Sequence, residues 1–136
     1  MSKIVHFSEA ASLAIHAMVI IARAPKIVNV LSIAHTTGSS KNHLSKVMQR
    51  LSKDNLVKST RGPSGGFELN KLAEDISLLE IYESIEGPIH QGGCPVDKQI
   101  CPFNKCLMSG IVDDVSNQLR EYLSEQKLNY YLGRNY

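Results

Sequence analysis

HLSKVMQRLSKDNLVKSTRGPSGGFELNK, residues 43–71, changes its repeat half-way along. In the first half Leu44, Val47, Met48 and Leu51 recur at i, i+3, i+4 and i+7, the spacing of one buried helical stripe. Ser39 and Ser40 stand just ahead as caps, so a helix is predicted over SKNHLSKVMQRLSKDN. In the second half LVKST and GFELNK read as two short strands around RGPSGG. There Gly62, Gly65 and Gly66 permit positive φ, and Pro63 and Ser64 favour a turn. The stretch predicts a helix followed at once by a β-hairpin with Arg61 at its tip.

Immediately upstream, NVLSIAHTTG predicts a brief helix around Leu31, Ile33 and Ala34, closed by Gly38. Two helices joined by a tight glycine turn, with a hairpin behind the second, form a winged helix-turn-helix. The second helix carries Lys41, Asn42, Ser45, Lys46, Gln49, Arg50 and Lys53 away from its apolar stripe. From Ser39 to Phe67 six basic residues meet one acid, Asp54, a surplus of five; the chain totals +2, so the rest sums to −3. Such a run is either a solvated face or a grip for a polyanion, and beside this hairpin it points to duplex DNA. Lys41, Asn42, Lys46, Gln49 and Arg50 are the expected contacts to bases and phosphates, with Ser40 anchoring near the helix start. Arg61 and the amides of Gly65 and Gly66 are expected at the minor groove.

Further out, Ser8 reads as the cap of SEAASLAIHAMVIIARA, a helix apolar around most of its circumference and ended by Pro25. Ile76, Leu79, Ile81 and Ile85 mark another helix, ending at Gly87-Pro88. A last helix is predicted from about Leu107 to Tyr131, with Ile111, Val115, Leu119, Tyr122 and Leu123 on one side and Val112 broadening the stripe. A chain of this size does not need that length for its own core, which predicts a homodimer matched to two half-sites of double-stranded operator DNA. The expected fold is mainly α with a small β-hairpin wing. It divides into a winged helix-turn-helix domain over 1–87, a cysteine-bearing loop over 88–106, and a dimerisation helix with C-terminal tail over 107–136.

CPVDKQICPFNKC, residues 94–106, holds all three cysteines and two of the five prolines. A hydrophobic content of 43% suffices for a core, so thiols are not needed as staples. The apolar run from Ala10 to Ala22 is too short to cross a bilayer and no signal peptide is read ahead of it, so a cytoplasmic protein with reduced thiols is expected, with no membrane partner. A metal site then outranks a disulfide. Six residues separate Cys94 from Cys101, and four separate Cys101 from Cys106. Tetrahedral zinc usually takes a close pair plus a second, distant pair. An iron–sulfur cluster, 4Fe–4S or 2Fe–2S, is wider than a single ion and takes soft thiolates at looser spacing. Pro95 and Pro102, each directly after a cysteine, stiffen the loop. Zinc, a bare thiol switch and a metal-free loop remain the alternatives. The five histidines, at 6, 16, 35, 43 and 90, have no nucleophile arrangement or phosphate loop beside them, so neither an enzyme nor a small-molecule substrate is expected. A small electron carrier would leave the basic helix and hairpin without a purpose.

The segments SLAIHAM, HLSKVMQRLSKDNLVKSTRGPSGGFELNK and LLEIYESIEGP, with three spaced cysteines before a last helix, resemble the winged-helix regulators of the Rrf-two superfamily over nearly the whole chain. RGPSGGFEL behind a recognition helix is the most specific element. The resemblance implies a homodimer on near-palindromic operators and, in several members, an iron–sulfur cluster. In IscR-like members a histidine three residues past the last cysteine completes the cluster site; here that position is Ser109. In NsrR-like members an aspartate in the other subunit's first helix does so; the aligned position here is Ser12. Glu9, about one turn earlier, is the expected carboxylate, reaching across the dimer, with His6, His90 and Asp97 as alternatives. An iron held by a weak oxygen ligand would be the point of attack for nitric oxide or oxygen. The resulting expectation is a transcription regulator gated by a cluster on Cys94, Cys101 and Cys106.

Overall fold

The computed structural model describes residues 7–89, 102–105, 107–108 and 110–133. Among the described residues, five helices and one hairpin run in the order α1 (Glu9–Arg23), α2 (Val30–Thr37), α3 (Lys41–Lys53), β1 (Val57–Thr60), β2 (Gly66–Leu69), α4 (Leu78–Glu86) and α5 (Ile111–Glu125). Short 3₁₀ turns occupy Ala73–Asp75 and Leu128–Tyr131. The predicted winged helix is present, and mainly helical with a two-stranded antiparallel wing is the observed class.

The first four helices start at a side-chain cap that takes an otherwise orphaned amide. Ser8 Oγ accepts from the Ala11 amide at 3.0 Å, Asn29 Oδ1 from Ser32 at 2.8 Å, Ser40 Oγ from His43 at 3.1 Å and Ser77 Oγ from Glu80 at 3.1 Å. α1 lies at the centre, against α2, α3, α4, β2 and the final turn. Its Ala11, Ala14 and Ala17 are fully buried with Met18, and these small side chains let neighbouring helices approach closely. Ile33 of α2, Leu44, Met48 and Leu51 of α3, and Ile81 of α4 complete the interior.

The wing pairs Val57 with Leu69 through to Thr60 with Gly66. A third segment joins it on the far side, because Val28 and Phe67 exchange backbone hydrogen bonds at 3.0 and 2.7 Å. That bridge changes the reading of the wing glycines. Of the three expected at positive φ, only Gly62 has it, at 104°. Gly66 is required by close approach instead, since a Cβ there would fall 2.3 Å from the Val28 carbonyl oxygen.

The last helix is shorter than predicted. It begins at Ile111, behind the left-handed Gly110, and stops at Glu125. The backbone then leaves the helix to pair with the strand-like entry to α4. Leu78 donates its amide to Gln126 at 2.9 Å, and Leu128 donates to Ile76 at 3.0 Å. The fully buried Leu128 anchors the closing turn. The predicted stripe also splits. Leu123 is buried and Leu119 and Val112 are half-buried, while Ile111, Val115 and Tyr122 are exposed. Among the described residues no helix is long and apolar enough to cross a membrane.

Candidate nucleic-acid interface

α3 is amphipathic, with Leu44, Val47, Met48 and Leu51 buried. At 3.6 residues per turn, the stripe directly opposite consists of Asn42, Lys46, Gln49 and Lys53, all exposed. Lys41 is also exposed, at the start of the helix. Lys53 was not among the expected DNA contacts, yet its spacing from Asn42, Lys46 and Gln49 puts it on their line. No acid lies in the first turn of α3, so its positive end is available to an anion. Ser40 caps the helix through its oxygen lone pair, and its hydroxyl hydrogen remains available to an acceptor. Beyond α3, the hairpin carries Arg61 exposed at its turn.

Three of the expected contacts are also tied into the fold. Arg50 sits on the flank of α3, and its Nε donates to the Ser84 carbonyl at 2.9 Å, so this arginine is held by α4. The Gly65 amide, expected at the groove, donates to the Gly62 carbonyl at 2.9 Å and closes the turn. Gly66 pairs with Thr60 and lies against Val28, where its missing Cβ lets those backbones meet. The basic surplus is also partly neutralised. Lys58 forms an ion pair with Glu68 across the hairpin at 3.1 Å.

The expected cluster ligands Cys94, Cys101 and Cys106 lie outside the described residues, as do His6, His90, Asp97 and Ser109. Among the described residues no group of three potential ligands is gathered for a metal ion. Glu9 is described. It is exposed on the first turn of α1 and lines an open groove of about 970 Å³ between α1 and the helix-turn-helix. Its neighbour Ser8 donates a hydroxyl hydrogen bond to the Glu86 carboxylate at the end of α4. The start of α1 and the end of α4 therefore meet.

Residues 7–132 match the Rrf2 family, described as an iron-dependent transcriptional regulator. The chain belongs to the Rrf2 family. IscR of Escherichia coli O1:K1 / APEC, an HTH-type transcriptional regulator, is 30% identical over 97 residues, covering 71% of this chain and 60% of IscR. The matched stretch thus spans about 60% of the length of that relative. Among solved structures, CymR (YrzC), the global cysteine regulator of B. subtilis, gives a TM-score of 0.79 at 23% identity, over 94% of this chain and 96% of CymR. T. potens IscR gives 0.74 at 25% identity, over 92% and 84%. The Rrf2 match agrees with the winged-helix reading of residues 43–71.

Proposed function

We propose that this Rrf2 protein is a homodimer that binds operator DNA with an affinity set by an iron–sulfur cluster on Cys94, Cys101 and Cys106. The observation that carries the DNA half is the exposed Asn42–Lys46–Gln49–Lys53 stripe directly opposite the buried stripe of α3, with Arg61 on the adjoining wing. Lys41, Asn42, Lys46, Gln49 and Lys53 serve the major groove, Ser40 donates to a phosphate, and Arg61 serves the minor groove. In support of the cluster half stand three soft donors within thirteen residues and a family described as iron-dependent. Glu9 supplies the carboxylate, from the end of the molecule at which α4 hands over to the cysteine-bearing segment. Held there, a cluster would supply chemistry reactive toward nitric oxide or oxygen. The chain's own part is to favour a DNA-competent arrangement in one state over the other. A coupling of about 1–3 kcal/mol suffices for about 5- to 150-fold in affinity.

Anaerobic isolation with iron and sulfide counts, followed by binding to a duplex enriched by the protein from a randomised library, tests both halves. Bound iron and sulfide and a nitric-oxide-sensitive affinity are expected. Arg61→Ala should weaken binding and lower the slope of log affinity against log salt by about 0.9, one phosphate contact. Colourless protein free of iron and sulfide would leave a regulator acting through bare thiols or a partner. Failure to enrich any duplex would remove the DNA reading itself.

A further inference from the structure

The junction of α3 with α4 contains polar chemistry that the DNA reading leaves without a role. Ser84 lies in the last turn of α4 and is 7% exposed. The amide that would close on its carbonyl four residues later belongs to Pro88, and proline has none. The Ser84 carbonyl is therefore an orphaned acceptor at a helix C-terminus, a place that attracts a cationic donor. Arg50 fills it, at 2.9 Å. The Ser84 hydroxyl donates in the opposite direction, to Oδ2 of Asp54 at 2.5 Å. Asp54 is the C-cap of α3, one turn beyond Arg50. One residue of α4 thus holds the final turn of α3 at two points, one through a guanidinium and one through a carboxylate.

We propose that Ser84 is a positioning residue for DNA recognition, and that Arg50 acts on DNA only through Ser84, by fixing how α3 presents Asn42, Lys46 and Gln49. This rests on the DNA reading above. Two charge-assisted bonds at the far end of a thirteen-residue helix control its tilt, and tilt decides whether side chains near its start meet base edges or miss them. Phosphate attraction tolerates a change of tilt far better than base reading does. The latch therefore governs discrimination between sequences more than attraction to DNA in general.

The test compares wild type with Arg50→Ala, Ser84→Ala, Ser84→Thr and Lys46→Ala. Binding is measured over a salt series on two duplexes, the one wild type enriches and a scrambled version of it. Circular dichroism confirms the fold of each variant. Arg50→Ala and Ser84→Ala should each weaken binding to the enriched duplex about tenfold, the effect of one lost charge-assisted bond. Both should leave scrambled-duplex binding and the salt slope unchanged. Ser84→Thr, which keeps the hydroxyl, should bind nearly as wild type does. Lys46→Ala should instead weaken both duplexes and lower the slope by about 0.9.

The proposal is overturned if Arg50→Ala behaves like Lys46→Ala, which would make Arg50 a phosphate contact. Equal weakening of both duplexes by Ser84→Ala, or no weakening by either latch variant, also overturns it. Should Ser84→Ala fail to fold, the exposed Arg50 still decides the matter. A wild-type protein that enriches no duplex overturns the DNA reading first and this one with it, so the two failures are told apart.

Discussion

A methyl group on residue 66 would sit 2.3 Å from the carbonyl oxygen of Val28, well inside contact distance, and the opposing atom is backbone. Gly66→Ala must therefore push the wing away from the segment after α1 or break the Val28–Phe67 bonds. Gly38 differs. It holds φ at 70° with open space around its Cβ position, so Gly38→Ala brings only the left-handed strain. Gly66→Ala is expected to cost about 3 kcal/mol, and Gly38→Ala about 1 kcal/mol, measured by urea unfolding. Equal costs would mean the Val28 contact is not tight. Gly38 was legible in the sequence because it follows a helix and the turn is local. The requirement at Gly66 was not, because Val28 is remote in the chain and carries no signal of a β-bridge. The hold on Arg50 was hidden for a similar reason. Its charge is visible in the sequence, but its partner is a carbonyl left open by Pro88 on another helix.

Among the elements, α3 was read almost to its ends because its determinants are local, a serine cap and a stripe at i, i+3, i+4 and i+7. That cap separates folding from binding. Ser40→Ala removes the acceptor for the His43 amide and should lower stability by about 1 kcal/mol. Ser40→Asp keeps an acceptor there and places a negative charge where the helix favours one, so stability should hold. The same charge faces phosphates if α3 enters the groove. Duplex affinity should then fall further for Ser40→Asp than for Ser40→Ala, while thermal stability ranks the other way. Matching ranks in both measurements would place the start of α3 away from DNA. The last helix shows the opposite case. Its apolar pattern continues past Glu125, yet the backbone turns aside to pair with Ile76 and Leu78, and amphipathic periodicity cannot report a backbone partner elsewhere. Gly110 could have marked its start, since a left-handed residue there keeps the helix from reaching back to Leu107.

At the scale of the whole molecule, α5 buries one part of its apolar side in the chain's own fold and leaves another part exposed. Leu123 is buried and Leu119 half-buried in the chain's own fold, where α5 packs on α4. Ile111, Val115 and Tyr122 are 54%, 45% and 56% exposed, and Leu107 just before the helix is 72% exposed. An exposed apolar row of this kind suits an interface, and in the proposed homodimer a two-fold axis through it would pair two copies of α3 for two half-sites. Val115→Glu puts a charge into that row without touching the core. Sedimentation should then show a 15.0 kDa species in place of one twice that mass, with circular dichroism unchanged. Affinity for the enriched duplex should fall by more than any single α3 substitution produces, because a monomer engages one half-site and loses the effective concentration that tethers the second. Leu123→Ala should do the reverse, lowering stability by about 2–5 kcal/mol while the surviving folded protein stays dimeric. If wild type sediments at 15.0 kDa at concentrations where it saturates the duplex, the exposed row serves some other contact, and one copy of the wing and recognition helix does the binding.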